Sequence, residues 1–423
     1  MTNVRAFIWL ISALVAGQPM PSGAVEVPAG SSGTITLAQV LELAQRDNPE
    51  ILAALKKWQA AQKRVVQAAT PDKPKLELER MYAPTNRNAI SGAMERNIAV
   101  SQEIPFPTTL YLQHGRAAKE VQIEEQSYRA KVREVEAKAG STYAMLFLVY
   151  RSLEAFNENI GIMRRFSKIA EAKYASRHSP QLDALKAQVE LTKMLNMTFE
   201  MEQEKAIDES MLNALLNRPA QASVGVPSDP DPGALDLKLE ELQATGLAQR
   251  PELRAALLQT QRARMSLSIA RASYLPDIMM QYRYRNDPVQ GNSHDAILGL
   301  SLPLWFWKPA AMVAEAKAEK AMSDAELQAM TVETSAELRT AWLRTETARR
   351  LAEIYRTSVL PQAQEALQVA ETGYQADKTS FLDLLDTQRA QLNFRLDYYR
   401  YLAEYEQRLA ELERVVGKEL RKP

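Results

Sequence analysis

The chain has 423 residues, 46% of them hydrophobic and 25% charged, and its 52 basic residues balance 52 acidic ones. A neutral balance gives no electrostatic reason to bind nucleic acid. The absence of cysteine excludes disulfides, thiolate metal sites, a cysteine nucleophile and lipidation on an N-terminal cysteine. The N-terminus supplies the compartment instead. One basic residue, Arg5, precedes an apolar stretch from Ala6 to Gly17, and a polar segment then ends in Ser22-Gly23-Ala24. That is the layout of a cleavable secretory signal, expected over residues 1–24. No later stretch reaches 18 apolar residues, so a membrane anchor, if present, is a β-barrel.

A helix is expected over about 37–70, with Asn48-Pro49 as a start signal and Glu50 in the first turn. Two short extended stretches follow, with Leu76, Leu78 and Tyr82 and then Ile98, Val100 and Ile104 on one face, interrupted by Arg80 and Arg96. From about 109 to 176 almost nothing breaks a helix, a length of roughly 100 Å at 1.5 Å per residue. A return helix is expected over about 180–217. The segment "RPAQASVGVPSDPDPGAL" (218–235), with four prolines and two glycines, reads as a linker.

Beyond it the order repeats. A helix over about 237–273 carries Arg250-Pro251. Ile278, Met280, Tyr282 and Tyr284 alternate with polar neighbours, as do Ala296, Leu298, Leu300 and Leu302. A long helix runs over about 310–376 and returns over about 380–417, where Leu385, Leu392, Leu396, Tyr399, Leu402 and Leu409 keep coiled-coil spacing. "NPEILAALKKWQ" aligns with "RPELRAALLQTQ", "VSQEIPFP" with "LGLSLPLW", and "KYASRHSPQLDALKAQ" with "GYQADKTSFLDLLDTQ", at an offset near 200 throughout. The chain is therefore a tandem duplication, with repeats at 25–217 and 236–423. Gly161 and Pro361 occupy matched positions, where both copies are expected to bend. The fold class is mainly α with a small β part. Four strands cannot close a barrel, but three chains would supply twelve.

These duplicated openings, the strand endings "SQEIPFP" and "SLPLWFW", and the turn "GYQADKTSFLDLLDTQRA" resemble the TolC-like outer-membrane factors over essentially the whole mature chain. The strand endings are most similar to the heavy-metal-efflux branch. Two departures stand out. Pro107-Thr108-Thr109 replaces the Gly-Lys common after that proline, and Ala175-Ser176-Arg177 and Ala376-Asp377-Lys378 stand where many members have glycine. The resemblance implies a trimeric α-barrel continuous with a twelve-stranded outer-membrane β-barrel, projecting into the periplasm of a Gram-negative cell. It implies a passive, non-enzymatic exit duct, without cofactor or resident metal, for cargo delivered by a resistance-nodulation-division pump through a membrane-fusion adaptor. The expected partners are two further copies of the chain, that adaptor, that pump and outer-membrane lipid, with heavy-metal cations as the leading cargo. The alternatives are a duct for drugs or type I secreted proteins, or a periplasmic coiled-coil adaptor with no pore.

Asp383 and Asp386, three apart in "FLDLLD", share a helix face. Thr379 or Ser380 before them supports a helix cap. No nucleophile, histidine or phosphate loop accompanies them as a catalytic pair needs. Threefold assembly would turn them, with Asp183, into acidic rings. The resemblance implies that Asp383 and Asp386 line a closed periplasmic entrance, and that Tyr374 and Asp183 help hold it shut. Ser176, Arg177, Asp377 and Lys378 are the hairpin tips expected to meet the adaptor. Trp305, Trp307, Tyr282 and Tyr284 suit an interfacial aromatic girdle. The three histidines, 114, 178 and 294, have no ligand spacing.

Overall fold

The computed structural model describes residues 33–82, 93–230, 238–287 and 291–421. The expected signal peptide and the 231–235 end of the expected linker lie outside them. The first repeat runs β1 (Thr34–Ile35), α1 (Leu37–Asp47), α2 (Pro49–Ala68), β2 (Lys75–Tyr82), β3 (Ala93–Ile104), α3 (Pro107–Ala175) and α4 (Gln181–Leu215). A two-residue strand β4 (Val226–Pro227) leads to α5 (Leu239–Gln249), α6 (Pro251–Ala272), β5 (Asp277–Asp287), β6 (Gly291–Ser301) and α7 (Trp307–Ile354). A π-helical segment (Tyr355–Val359) then joins α8 (Leu360–Gln375), and α9 (Phe381–Val416) returns. Among the described residues no helix is long and apolar enough to cross a membrane.

The single helix expected at the start of each repeat is two helices. Asn48 and Arg250, each before a proline, sit at ψ near 125° and 120°, because the proline ring excludes the helical conformation from its predecessor. The break has a use. The Asn48 side chain accepts from the Glu50 and Ile51 amides and donates to the Leu215 carbonyl at 2.9 Å, so one residue starts α2 and ends α4. In the second repeat α9 ends at Gly417 with φ 76°, where an added Cβ would lie 3.0 Å from the Arg250 Cα and the Pro251 Cδ. Each return helix thus abuts the helix that climbs to the sheet. Asn217, with φ 54°, plays the glycine's part in the first repeat.

The expected bends differ between copies. α3 runs unbroken through Gly161, whereas the second copy opens into the π segment just before Pro361. Proline lacks the amide donor and crowds the carbonyl four residues back, here Thr357. The wider turn containing Thr357 absorbs both. The first copy has only a glycine there, which costs helix stability without blocking it.

Residues 218–230 of the expected linker are packed rather than loose. Val226-Pro227 pairs in parallel with Thr34-Ile35, and Val224 is buried beside Val40, Leu212 and Leu216. The Asn213 side chain holds the Ala220 and Ala222 carbonyls. Tyr143 donates its hydroxyl to carbonyls of both Ile35 and Ser228. In the far half of the hairpins, Phe156, Phe166, Met194, Leu367, Leu384 and Leu385 pack α3, α4, α8 and α9 into one core.

One buried charge works against this fold. Asp208 on α4 is 2% exposed, and burial, with Glu204 nearby, pushes its carboxyl up to about 6. A raised folded pKa means the fold prefers the neutral acid, so the penalty is absent below about 3.8, grows from there to about 6, and is complete above. Asp208→Asn should therefore raise stability by roughly 1–3 kcal/mol at pH 8 and by almost nothing at pH 4. Thermal unfolding of both proteins at the two pH values tests this; an equal gain at both would exclude it.

Candidate functional site

Two regions carry the candidate functional residues: the sheet at one end of the helices and the paired hairpin tips at the other. The sheet has the order β2-β3-β5-β6, antiparallel throughout, and joins the repeats through β3 and β5. Register places Leu76 opposite Val100, Val100 opposite Tyr282 and Tyr282 opposite Ala296. One face thus collects Leu76, Leu78, Ile98, Val100, Ile278, Met280, Leu298 and Leu300. These are the apolar positions of the period-two pattern. Nothing among the described residues covers them: Leu78 is 73% exposed and Leu298 72%. The opposite face presents Glu77, Glu79, Ser101, Glu103, Gln281, Arg283 and Asp295. The apolar rows from Ile278 to Tyr284 span ~20 Å of strand.

The aromatic residues bracket this face. Trp305 and Trp307 are exposed beside Phe306 at its helix end, with tryptophan centroids 5.3 Å apart. Tyr282 and Tyr284 lie on the apolar face itself, against His294. The Tyr282 hydroxyl meets His294 Nδ1 at 2.6 Å, and the Tyr284 ring lies 5.2 Å from the imidazole.

At the far end, both hairpins turn through the same cap. The His178 amide donates to the Lys173 carbonyl and Arg177 to Tyr174, and likewise Lys378 to Gly373 and Asp377 to Tyr374. This pairing is a Schellman motif, whose left-handed position glycine normally fills. Here Arg177 (φ 62°) and Asp377 (φ 59°) occupy it. The tip side chains Ser176, Arg177, Asp377 and Lys378 are exposed.

The predicted gate residues do not form one cluster. Asp383 closes a helix cap: it accepts from the Ser380 hydroxyl at 2.7 Å, while its amide donates back to that oxygen. Asp386 is exposed and lies 3.4 Å from Arg389, one turn on. Both project from the surface of α9. Tyr374 is instead buried at 4% exposure, packed on Phe381, and its hydroxyl has no hydrogen-bond partner. Burial, together with the charges of Asp183 and Asp377, pushes the phenol's pKa up. Asp183 makes no hydrogen bond to the Tyr374 hydroxyl.

Apart from Tyr374 and Asp377, the residues that tie the two hairpins together lie outside those expected from sequence. Lys173, near the end of α3, reaches across to the Tyr374 carbonyl and the Asp377 carboxylate, and its ammonium sits 4.4 Å from the Tyr374 ring centre. Arg389 on α9 grips both oxygens of Glu190 on α4. Glu190 is 5% exposed, and the guanidinium holds its carboxyl below the usual range. Asn159 pairs with Gln388, both buried, and Arg395 with Glu158. Each of these four ties runs from the first hairpin to the second. A trace of the Glu190 tie is visible in the sequence. With Ala184, Ala187 and Met194, Glu190 shares the buried stripe of α4, an unusual place for a carboxylate without a partner.

Comparison with known proteins fits this geometry. The outer membrane efflux protein family matches the chain over residues 40–218 and 244–418. The cobalt-zinc-cadmium resistance protein CzcC of Cupriavidus metallidurans is 23% identical over 405 residues, 92% of either chain. The fold is shared with the outer membrane protein VceC of Vibrio cholerae (TM-score 0.76, 15% identity, 91% of this chain and 97% of that one). It is shared equally with CusC (TM-score 0.78, 16% identity, 93% and 96%). By its match over both repeats, the chain belongs to the outer membrane efflux protein family.

Proposed function

We propose that this outer-membrane efflux protein works as a trimer, the passive exit duct of a tripartite pump whose cargo is heavy-metal cations. The observation that carries the reading is the sheet: one apolar, uncovered face, one polar face and two open edges. Open edges do not survive in lipid, because each unpaired backbone group costs several kcal/mol there. Three copies joined edge to edge give twelve strands, an allowed number for a barrel with a polar lumen. Trp305 and Trp307 then mark the periplasmic interface, and the helices extend from it toward an adaptor that meets the exposed tips. The metal cargo is supported by the likeness to CzcC, whose name assigns it cobalt, zinc and cadmium resistance. Among the described residues no group of three or more acidic or histidine side chains could hold a metal ion; in this reading the cations are cargo, driven by the inner-membrane pump.

Asp383 and Asp386 point outward from α9 and in a trimer would recur three times around the narrow end. Acidic rings of that kind concentrate cations and set selectivity. In planar bilayers, Asp383→Ala/Asp386→Ala should form trimers as the parent does, with several-fold weaker block by divalent cations. Unchanged cation block would remove these residues from the entrance. A deletion strain exposed to a panel of metal salts and drugs tests the cargo: lost tolerance to drugs alone would exclude the metal reading.

A further inference from the structure

The apolar face of the sheet ends in an arrangement that a membrane-spanning strand pair ordinarily avoids. Arg80 on β2 lies directly opposite Arg96 on β3, and both side chains are exposed. Like charges directly opposite in an antiparallel pair repel. Neither guanidinium has an anionic partner among the described residues. Relief cannot come from the same face. No Asp or Glu among the described residues holds a register position on it, in any of the four strands. The segment between β2 and β3, residues 83–92, adds Arg87 and no acidic residue. Joining β2 to β6 of another copy brings only more of the same face, so no register of that joint supplies a carboxylate.

The row has a definite height. Below it stand Leu78, Ile98, Tyr284 and His294, then Leu76, Val100, Tyr282 and Ala296. Its own other members are Asn286 and Asn292, joined by a 2.7 Å side-chain hydrogen bond. The row is therefore all donors or amides, and it lies one row beyond Tyr284 and His294 on the side away from Trp305 and Trp307. Charges on a lipid-facing strand are costly at mid-membrane and nearly free at the interface. The pair thus sits at headgroup level on the side away from the helices.

From this geometry we infer that Arg80 and Arg96 together bind the phosphate of an anionic lipid in the leaflet farther from the helical hairpins, with its acyl chains on the apolar rows below. Guanidinium groups present paired donors that match phosphate oxygens. Two of them on adjacent strands form a fork, and an anion between them removes their repulsion. The inference rests on the membrane-facing reading of the sheet. It adds that the face is selective, taking phosphorylated lipid in preference to neutral lipid.

The test uses the purified full chain. Co-flotation with phosphatidylcholine vesicles first reads whether the sheet enters a bilayer at all; failure there would sink the membrane-facing reading and this inference with it. Binding is then measured in mixed micelles to diphosphoryl lipid A and to its dephosphorylated form. The parent protein should prefer the phosphorylated lipid at least tenfold. Arg80→Gln/Arg96→Gln should lose that preference while still floating with vesicles, and Arg80→Lys/Arg96→Lys should keep most of it. Inorganic phosphate at millimolar concentration should not displace the lipid, because it lacks the acyl chains. Equal binding of the two lipids by a parent protein that floats would overturn the inference alone. So would displacement by inorganic phosphate, which would make the pair a site for free anions. The comparison of lipids on the parent protein stands even if the glutamine variant does not fold.

Discussion

Arginine in place of Met280 should cut the amount of trimer recovered from the outer membrane at least tenfold, whereas arginine in place of its neighbour Gln281 should leave the yield near that of the parent. Met280 lies in the middle of the apolar rows, opposite Leu298 on β6 and Gln102 on β3. Gln281 points to the polar face, between Ser101 and Ile297. At the bilayer midplane an arginine on the lipid side costs about 2–4 kcal/mol, and a lumen-facing one tunes selectivity instead. In the proposed trimer the change occurs three times. Outer-membrane fractionation and native electrophoresis read the result. Equal yields for the two variants would mean that the sheet does not present this face to lipid.

Loosening the ties between hairpins should open the duct. Arg389→Ala leaves Glu190 buried and without its bidentate partner. Charge-assisted hydrogen bonds contribute about 1.5–3 kcal/mol. Arg389 is 42% exposed, and solvent screening lowers that to roughly 1–2 kcal/mol. If the tie holds only while the hairpins are closed, the open-to-closed ratio rises about 5–30-fold per chain. Lys173→Ala should act in the same direction by freeing the Tyr374 carbonyl and Asp377. Single-channel recording gives the open probability directly. Conductance like that of the parent in both variants would place these ties outside the closing device. Acid should mimic Arg389→Ala. The Glu190 carboxyl is held below its ordinary value of 4.5, so its contribution is complete above about 4.5 and lost as pH falls through the lower folded value. The tie should therefore be insensitive between pH 5 and 8 and should release only in stronger acid.

Much of this architecture can be read from the sequence because its signals are local or repeated. Period-two alternation sorts the sheet residues by face, since a strand's side chains alternate strictly. Duplication pairs the two hairpins, because matched turns at a constant offset mark matched elements. What escapes is set by contacts between distant segments. Lys173 and Asp377 are 204 residues apart and Glu190 and Arg389 are 199 apart; alone, Lys173, Glu190 and Arg389 read as ordinary charged helix residues and Asp377 as an exposed turn residue. Only the relative placement of the two hairpins brings them together. The breaks at Asn48 and Arg250 are legible in principle, because a residue before proline leaves the helical region. There the steric rule prevails over the single helix expected across each site. The pairing of β1 with β4 involves only two residues on each side, too few for any periodicity.

The π segment at Tyr355–Val359 has an effect at a distance. From Pro107 to Ala175 and from Trp307 to Gln375 the two descending arms cover the same number of positions, yet only the second contains a turn with one residue more than the α-helical repeat. A residue absorbed in that way rotates everything below it by about 100° and shortens the arm's reach. Halves copied from one ancestor therefore arrive at their ends out of phase, like two threads cut at different pitch. In the trimer proposed above, six such arms would alternate between two kinds of finger. That inequality between matched halves is already present in each single chain.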